Sequence, residues 1–321
     1  MLSHFRQAID WKSIQTKNDY NARVLFSVIN KELRRGQLLN SLAVAKELFD
    51  SGEQFQIKLW QRLITVTAED VGLGNLGLYS YVCNSYEQYL ESCSFNVIHD
   101  CISLICNSKK NRFADEVLNF VLLKYVASNR DYFSANSRVG VVSGQSSEHL
   151  QDSLRAGDLI GAVRCFVSLA LSGINFEEAA WDVLKGTLSV WESHIMLARS
   201  MTMRMKPGKN DRLMAGVLYI CAFVMGITLE EIKVIARKGK QVTLPGITIP
   251  AYALDLHANT TGHRLTVEDF RQFWIEGSVL SNEVSLSGSP FYSNEYKKYI
   301  LDNLDNFLDF YYFRKGIKFD V

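Results

Sequence analysis

The stretch "ELRRGQLLNSLAVAKELFDSGEQFQIKLWQRL" (Glu32–Leu63) aligns without a gap onto "SLRAGDLIGAVRCFVSLALSGINFEEAAWDVL" (Ser153–Leu184), 121 positions further on. Leu33, Arg34, Gly36, Leu38, Leu48, Ser51, Gly52, Phe55, Trp60 and Leu63 recur as Leu154, Arg155, Gly157, Leu159, Leu169, Ser172, Gly173, Phe176, Trp181 and Leu184. Two glycines with apolar periodicity between them predict a helix of about four turns, closed at both ends by turn residues. The next helix is expected to begin at Phe55 or Phe176 and to carry a tryptophan on its inner face. A gapless set that includes both glycines and the tryptophan points to an internal duplication.

A weaker echo follows each copy. "NSKKNRFADEVL" (Asn107–Leu118) and "PGKNDRLMAGVL" (Pro207–Leu218) both set a basic Lys-Asn turn before an apolar helix. The expected class is therefore all-α: two similar helical-bundle repeats, residues 1–130 and 148–240. A Ser/Gly-rich linker, 131–147, joins them. Residues 241–321 form a mostly helical extension. Within it, "KQVTLPGITIP" (Lys240–Pro250) is β-branched with Pro and Gly and suits a short extended or hairpin element. One helix is expected around Thr266–Glu276. Another, aromatic, spans Asn294–Arg314, with Tyr299, Ile300, Leu304, Phe307, Leu308 and Tyr311 at three- and four-residue steps.

Composition agrees with this class. The chain is 47% hydrophobic and 21% charged, as in an ordinary globular protein, and Pro occurs only 4 times. A net charge of +1 provides no global attraction to DNA or acidic membranes, so nucleic-acid contact would need a local patch. The six cysteines form no C-x-x-C pair and match no zinc spacing, so buried reduced thiols and an intracellular, cytoplasmic setting are expected. Leu213–Leu229 carries no charge and reaches the short end of the membrane-spanning range. Its flanks, Asp211, Arg212, Glu230 and Glu231, lack a positive bias, so a buried core helix is expected and no membrane partner.

The first copy resembles the C-terminal helical collar of clamp-loader-like AAA+ ATPases of the replication-associated recombination type, which include the Werner-helicase-interacting protein. The family pattern runs S-x-R-G-S-D, an alanine-rich helix ending A-G-E, then R-R-L and S-E-D-[IV]-G. The corresponding residues are Leu33-Arg34-Arg35-Gly36, Ser51-Gly52-Glu53, Gln61-Arg62-Leu63-Ile64 and Ala68-Glu69-Asp70-Val71-Gly72, and the family's later K-S-N turn is similar to Lys109-Lys110-Asn111. The resemblance covers about residues 20–125. The second copy keeps Ser153-Leu154-Arg155 and Gly157-Asp158 but has Val190-Trp191-Glu192 in place of the acidic element. It implies helical packing, self- or hetero-association and replication or repair proteins as partners. No G-x-x-x-x-G-K-[ST] loop occurs, so ATP hydrolysis does not carry over, and no cofactor is expected.

Four groups of residues invite a chemical reading. Gly72-Leu73-Gly74-Asn75-Leu76-Gly77 matches G-x-G-x-x-G but follows a helix, not the strand a dinucleotide site needs; a helix stop accounts for it. Glu69 and Asp70, being adjacent, point about 100° apart on a helix and cannot face each other as an acid/base pair. With Arg34, Gly36, Arg62 and Gly72 they are expected as structural anchors, paired with Arg34 or Arg62. Asp255, His257 and His263 in "ALDLHANTTGHR" offer carboxylate and imidazole that would suit a metal or phosphate, though no spacing matches a metal pattern and a polar turn serves equally. Lys109, Lys110, Arg112, Arg204, Lys206, Lys209 and Arg212 lie at equivalent turns and would form one basic edge for a phosphate backbone if the copies pack side by side. Solvated loop charge is the plainer alternative.

The reading from sequence is a non-catalytic helical scaffold of replication or repair, oligomerising or binding partners, with DNA as an expected contact. Two other readings stay open: a metal- or phosphate-dependent enzyme centred on Asp255, His257 and His263, and a structural or host-interaction protein.

Overall fold

The computed structural model describes residues 11, 13–127, 147–172, 174–205, 209–228, 243–255, 258, 264–284 and 295–314. Among them are fourteen α-helices and no strand, only isolated β-bridges. The first unit contains α1 (Ala22–Arg34), α2 (Leu38–Asp50), α3 (Glu53–Val66), α4 (Leu76–Ser92), α5 (Phe95–Asn107) and α6 (Phe113–Val121). The second contains α7 (Ser147–Ala156), α8 (Leu159–Ser172), α9 (Ile174–Thr187), α10 (Glu192–Met205) and α11 (Lys209–Val224). The extension adds α12 (Val267–Gln272), α13 (Glu295–Asp302) and α14 (Leu304–Arg314). π-helical turns close α3 (Thr67–Val71), α6 (Leu122–Ala127) and α12 (Phe273–Gly277).

Helix geometry recurs at the 121-residue spacing. α2 and α8 start at Leu38 and Leu159, α3 and α9 at Glu53 and Ile174. These last two begin two residues before the expected phenylalanines. Gly36 and Gly157 sit at φ 66° and 69° and donate to Leu33 and Leu154 carbonyls, each at 3.2 Å. The following amides, of Gln37 and Asp158, reach back to the Glu32 and Ser153 carbonyls, each at 2.9 Å. This pair of bonds caps the helix only when the glycine position is left-handed, which a Cβ opposes. Trp60 and Trp181 are fully buried, Trp60 against Tyr86 and Tyr89 and Trp181 edge-on to Phe166.

One continuous cluster of buried apolar side chains runs from Ala22 through both units to Ala253. α11 packs on α6 and α8, and α10 on α4, so the units share their interior. A short hydrogen-bonded chain crosses between them. Ser80 of α4 lies 2.7 Å from His194 Nδ1 of α10 and 3.2 Å from the Tyr219 hydroxyl of α11. The apolar stretch beginning at Leu213 is buried in α11, and among the described residues no helix is long and apolar enough to cross a membrane.

Of the expected extended or hairpin element at Lys240–Pro250, residues 240–242 lie outside the described residues and 243–250 pair with no strand among them; Thr248 exchanges hydrogen bonds with the Asn40 side chain of α2. The single aromatic helix is broken at Asn303 into α13 and α14. Asn303 turns its side-chain amide onto the Tyr299 carbonyl, 2.8 Å away, an alternative to regular helix that asparagine supports well. α12, α13 and α14 share a smaller core of Leu265, Phe270, Trp274, Ile300 and Leu304.

Candidate functional site

The last turn of α1 and its C-cap carry three cations, Lys31, Arg34 and Arg35, at the helix end whose dipole favours positive charge. Two of them point inward. Lys31 and Arg34 have side chains only 1% and 5% exposed, so each needs a buried counter-charge. The π turn after α3 presents one: Asp70, fully buried, accepts from Arg34 Nε and from Arg112 Nη1, both at 2.7 Å. Arg112 also grips Asp115 one turn on, and Glu69 lies 3.9 Å from Arg34 Nη2. Burial alone would lower the Arg112 pKa; the carboxylates of Asp115, Asp70 and Glu69 raise it well above the usual value. The result is an interlock of two guanidiniums and three carboxylates joining the α1 end, the α3 turn and the start of α6.

Backbone contacts tighten the same junction. Gly72 ends the π turn at φ 49°, and a Cβ there would lie 2.3 Å from the Asn111 carbonyl oxygen. The Asn111 amide donates to the Asp70 carbonyl at 3.0 Å. Lys110 is fully buried, its Nζ donating to the Cys106 and Ser108 carbonyls, and burial lowers its pKa.

This junction clasps the C-terminal extension. Lys31 Nζ lies 2.8 Å from Asp255 Oδ1, and Ser27 Oγ donates to the Ala253 carbonyl at 2.8 Å. Arg34 Nη1 and Arg35 Nη2 donate to the carbonyls of Gly277 and Glu276, at 3.0 and 2.7 Å. The Arg35 guanidinium lies 3.7 Å from the Tyr252 ring centroid, while the Tyr252 hydroxyl bonds Glu32. The Ser281 amide donates to the Arg34 carbonyl, the Lys110 amide to Asn282 and the Val284 amide to Lys110.

The structure thus brings Arg34, Gly36, Glu69, Asp70 and Gly72 together, and adds Lys110, Asn111 and Arg112 to them. Arg62 does not join: its Nε is buried without a hydrogen-bond partner among the described residues. Two proposed phosphate ligands are corrected. Lys110 and Arg112 are buried and spent on carbonyls and carboxylates, so neither reaches a DNA backbone; of that turn Lys109 is the exposed cation. Arg204 lies on α10 and Lys209 and Arg212 on α11, but their side chains, like Lys206 as a whole, lie outside the described residues. Asp255 is not poised for metal or phosphate, because it is 4% exposed and neutralises Lys31. His257 and His263 lie outside the described residues, among which no group of three or more His, Cys, Asp or Glu is placed to hold a metal.

The sequence reading missed Ser27, Lys31 and Tyr252. Ser27, Lys31 and Arg34 are spaced by four and three residues, which puts them on one face of α1. That stripe falls among buried apolar positions, a signal that was available. The partners of Ser27, Lys31 and Tyr252 across the clasp, more than two hundred residues away, gave none. Comparison with protein families, curated proteins and solved structures finds no match for the chain.

Proposed function

We propose that the chain is a non-catalytic, collar-like helical scaffold that binds partner proteins of DNA replication or repair. The observation that supports this reading is the Arg34–Asp70–Arg112 interlock. Three segments that resemble the clamp-loader collar, around residues 34, 70 and 111, meet there and hold the C-terminal extension. Their charges are consumed in holding shape, as a scaffold requires. Both oxygens of the Asp70 carboxylate are engaged by guanidiniums, which leaves neither to serve a substrate as a base.

The test is recovery of partners from the protein's own replicating cells, by proximity labelling with the labelling enzyme fused to the full chain. Enrichment of clamp-loader-type ATPases or other replication and repair proteins is the expected result. Labelling confined to proteins outside replication and repair would overturn the reading.

A further inference from the structure

Phe113, Glu116 and Phe120 follow one another at steps of three and four residues along α6, so they share one face of the helix. That face carries α13. The Tyr296 ring centroid lies 5.7 Å from Phe113 and 5.0 Å from Phe120, so the ring spans the turn between them, where Glu116 sits. Tyr299 adds a second contact on Phe120, at 5.0 Å. Both phenylalanines are buried, and Glu116 and Tyr296 are half-buried. An acid therefore holds the middle position of an aromatic seam.

The charges around it do not close on it. Arg112 of the same helix and Lys297 of α13 attract the Glu116 carboxylate, while Asp115 and Glu283 repel it. Arg112 is already committed to Asp70 and Asp115. Glu283 is fixed beside α6, because the Lys110 backbone bonds Asn282 and Val284 on either side of it. Among the described residues no hydrogen bond or ion pair reaches the Glu116 carboxylate. The other elements packed on α6 bring none. Lys124 and Arg164 gather at the Tyr125 ring, 5.4 and 5.1 Å from its centroid. Glu69 and Asp70 of the α3 turn face Arg34 and Arg112, and residues 213–224 of α11 carry no charge. Glu295 and Lys298 of α13 are exposed.

An ionised carboxylate without water or a close partner is costly to bury, whereas a protonated one is not. Burial is the main cause that raises the Glu116 pKa to about 7. Tyr296 and Tyr299 are the α13 side chains packed against the main core; Ile300 belongs to the smaller core of the extension. We propose that the seam between α6 and α13 is a proton-operated latch, closed over the protonated Glu116 and opened when its carboxylate ionises. Opening returns the carboxylate to water and gives up the attraction of Lys297, which burial outweighs.

The experiment is amide hydrogen exchange of the full chain at about pH 6 and about pH 7.5, with urea kept below the unfolding transition. Corrected for the pH dependence of free-peptide exchange, protection of the 296–301 amides is expected to fall about tenfold across that window. The fall should not depend on urea, as for a local opening, and α4 should stay better protected at both pH values. Glu116→Gln, uncharged throughout, is expected to abolish the fall, and Lys297→Met to extend it to higher pH. Protection in α13 that does not change with pH overturns the latch. So does protection equal to that of α4 with the same urea dependence, because α13 would then open only with the whole fold. A Glu116→Gln variant that keeps the fall of the parent overturns it as well. Should that variant not fold, Lys297→Met decides, and a fall that is unchanged or ends at lower pH removes the proposal.

Discussion

Lys31 of α1 and Asp255 of the C-terminal extension, 224 residues apart, form an ion pair at 2.8 Å with side chains only 1% and 4% exposed. Burial outweighs the attraction of Asp255 and brings the Lys31 pKa down to about 8. Such a pair adds little net stability over an apolar replacement, but removing one partner strands a buried charge. Lys31→Ala is therefore expected to destabilise the fold by about 3–5 kcal/mol, and the double change Lys31→Met/Asp255→Leu by much less. Urea titrations of the three proteins check this; equal losses in the single and double variants would show that the pair is not coupled.

The Asp70 carboxylate holds two guanidiniums at once. Asp70→Asn keeps its size and removes its charge, leaving Arg34 and Arg112 to share the remaining acids. A loss of about 3–5 kcal/mol is expected. Hydrogen exchange should rise in residues 276–284, which Arg34, Arg35 and Lys110 hold. Destabilisation with no change in exchange there would detach the interlock from the extension.

Gly36 and Gly157 share the same left-handed backbone, yet their surroundings differ. A Cβ at Gly36 would lie 2.8 Å from Ser281 Oγ and 2.9 Å from the Cys106 carbonyl, whereas nothing lies within 4 Å at Gly157. Gly157→Ala should cost only the conformational penalty of about 1–2 kcal/mol, and Gly36→Ala clearly more. Thermal melts of the two variants compare them directly, and equal shifts would contradict the close packing of the extension on the first turn.

Glu116 gives a pH signature. Burial first, then Asp115 and Glu283, raise its pKa to about 7 against the pull of Arg112 and Lys297. From its ordinary value of 4.5 up to about 7 the folded chain holds this proton more tightly than the unfolded one. Its contribution to stability therefore falls as pH rises through that window. Lys31 acts in the opposite sense higher up. Its folded pKa of about 8 lies below the ordinary 10.5, so stability from this group rises between those values. Glu116→Gln should flatten the lower window alone, measured by chemical denaturation at stepped pH.

The thiols should react selectively. Cys83, Cys101, Cys106, Cys165 and Cys221 are buried, and burial raises all five pKa values, to about 12 for Cys101 and about 11 for Cys106. Cys93 is exposed. Brief alkylation of the native protein, read by mass spectrometry, should modify Cys93 and spare the other five.

The amino-acid sequence alone determined the helical class, the closing glycines at Gly36 and Gly157, the buried tryptophans Trp60 and Trp181, and an arginine, Arg34 or Arg62, as the partner of the Glu69-Asp70 acids; the structure chose Arg34. Each rests on short-range physics: apolar spacing sets which face of a helix is buried, a left-handed turn demands glycine, and an acid placed beside buried apolar residues demands a cation. Tertiary structure alone decided that Lys110 and Arg112 are buried instead of offered to DNA, that Asp255 answers Lys31, and that Arg164 reaches Tyr125. A side chain's charge is local information, but its burial and its partner depend on what the folded chain brings against it, and those contacts span as many as 247 residues.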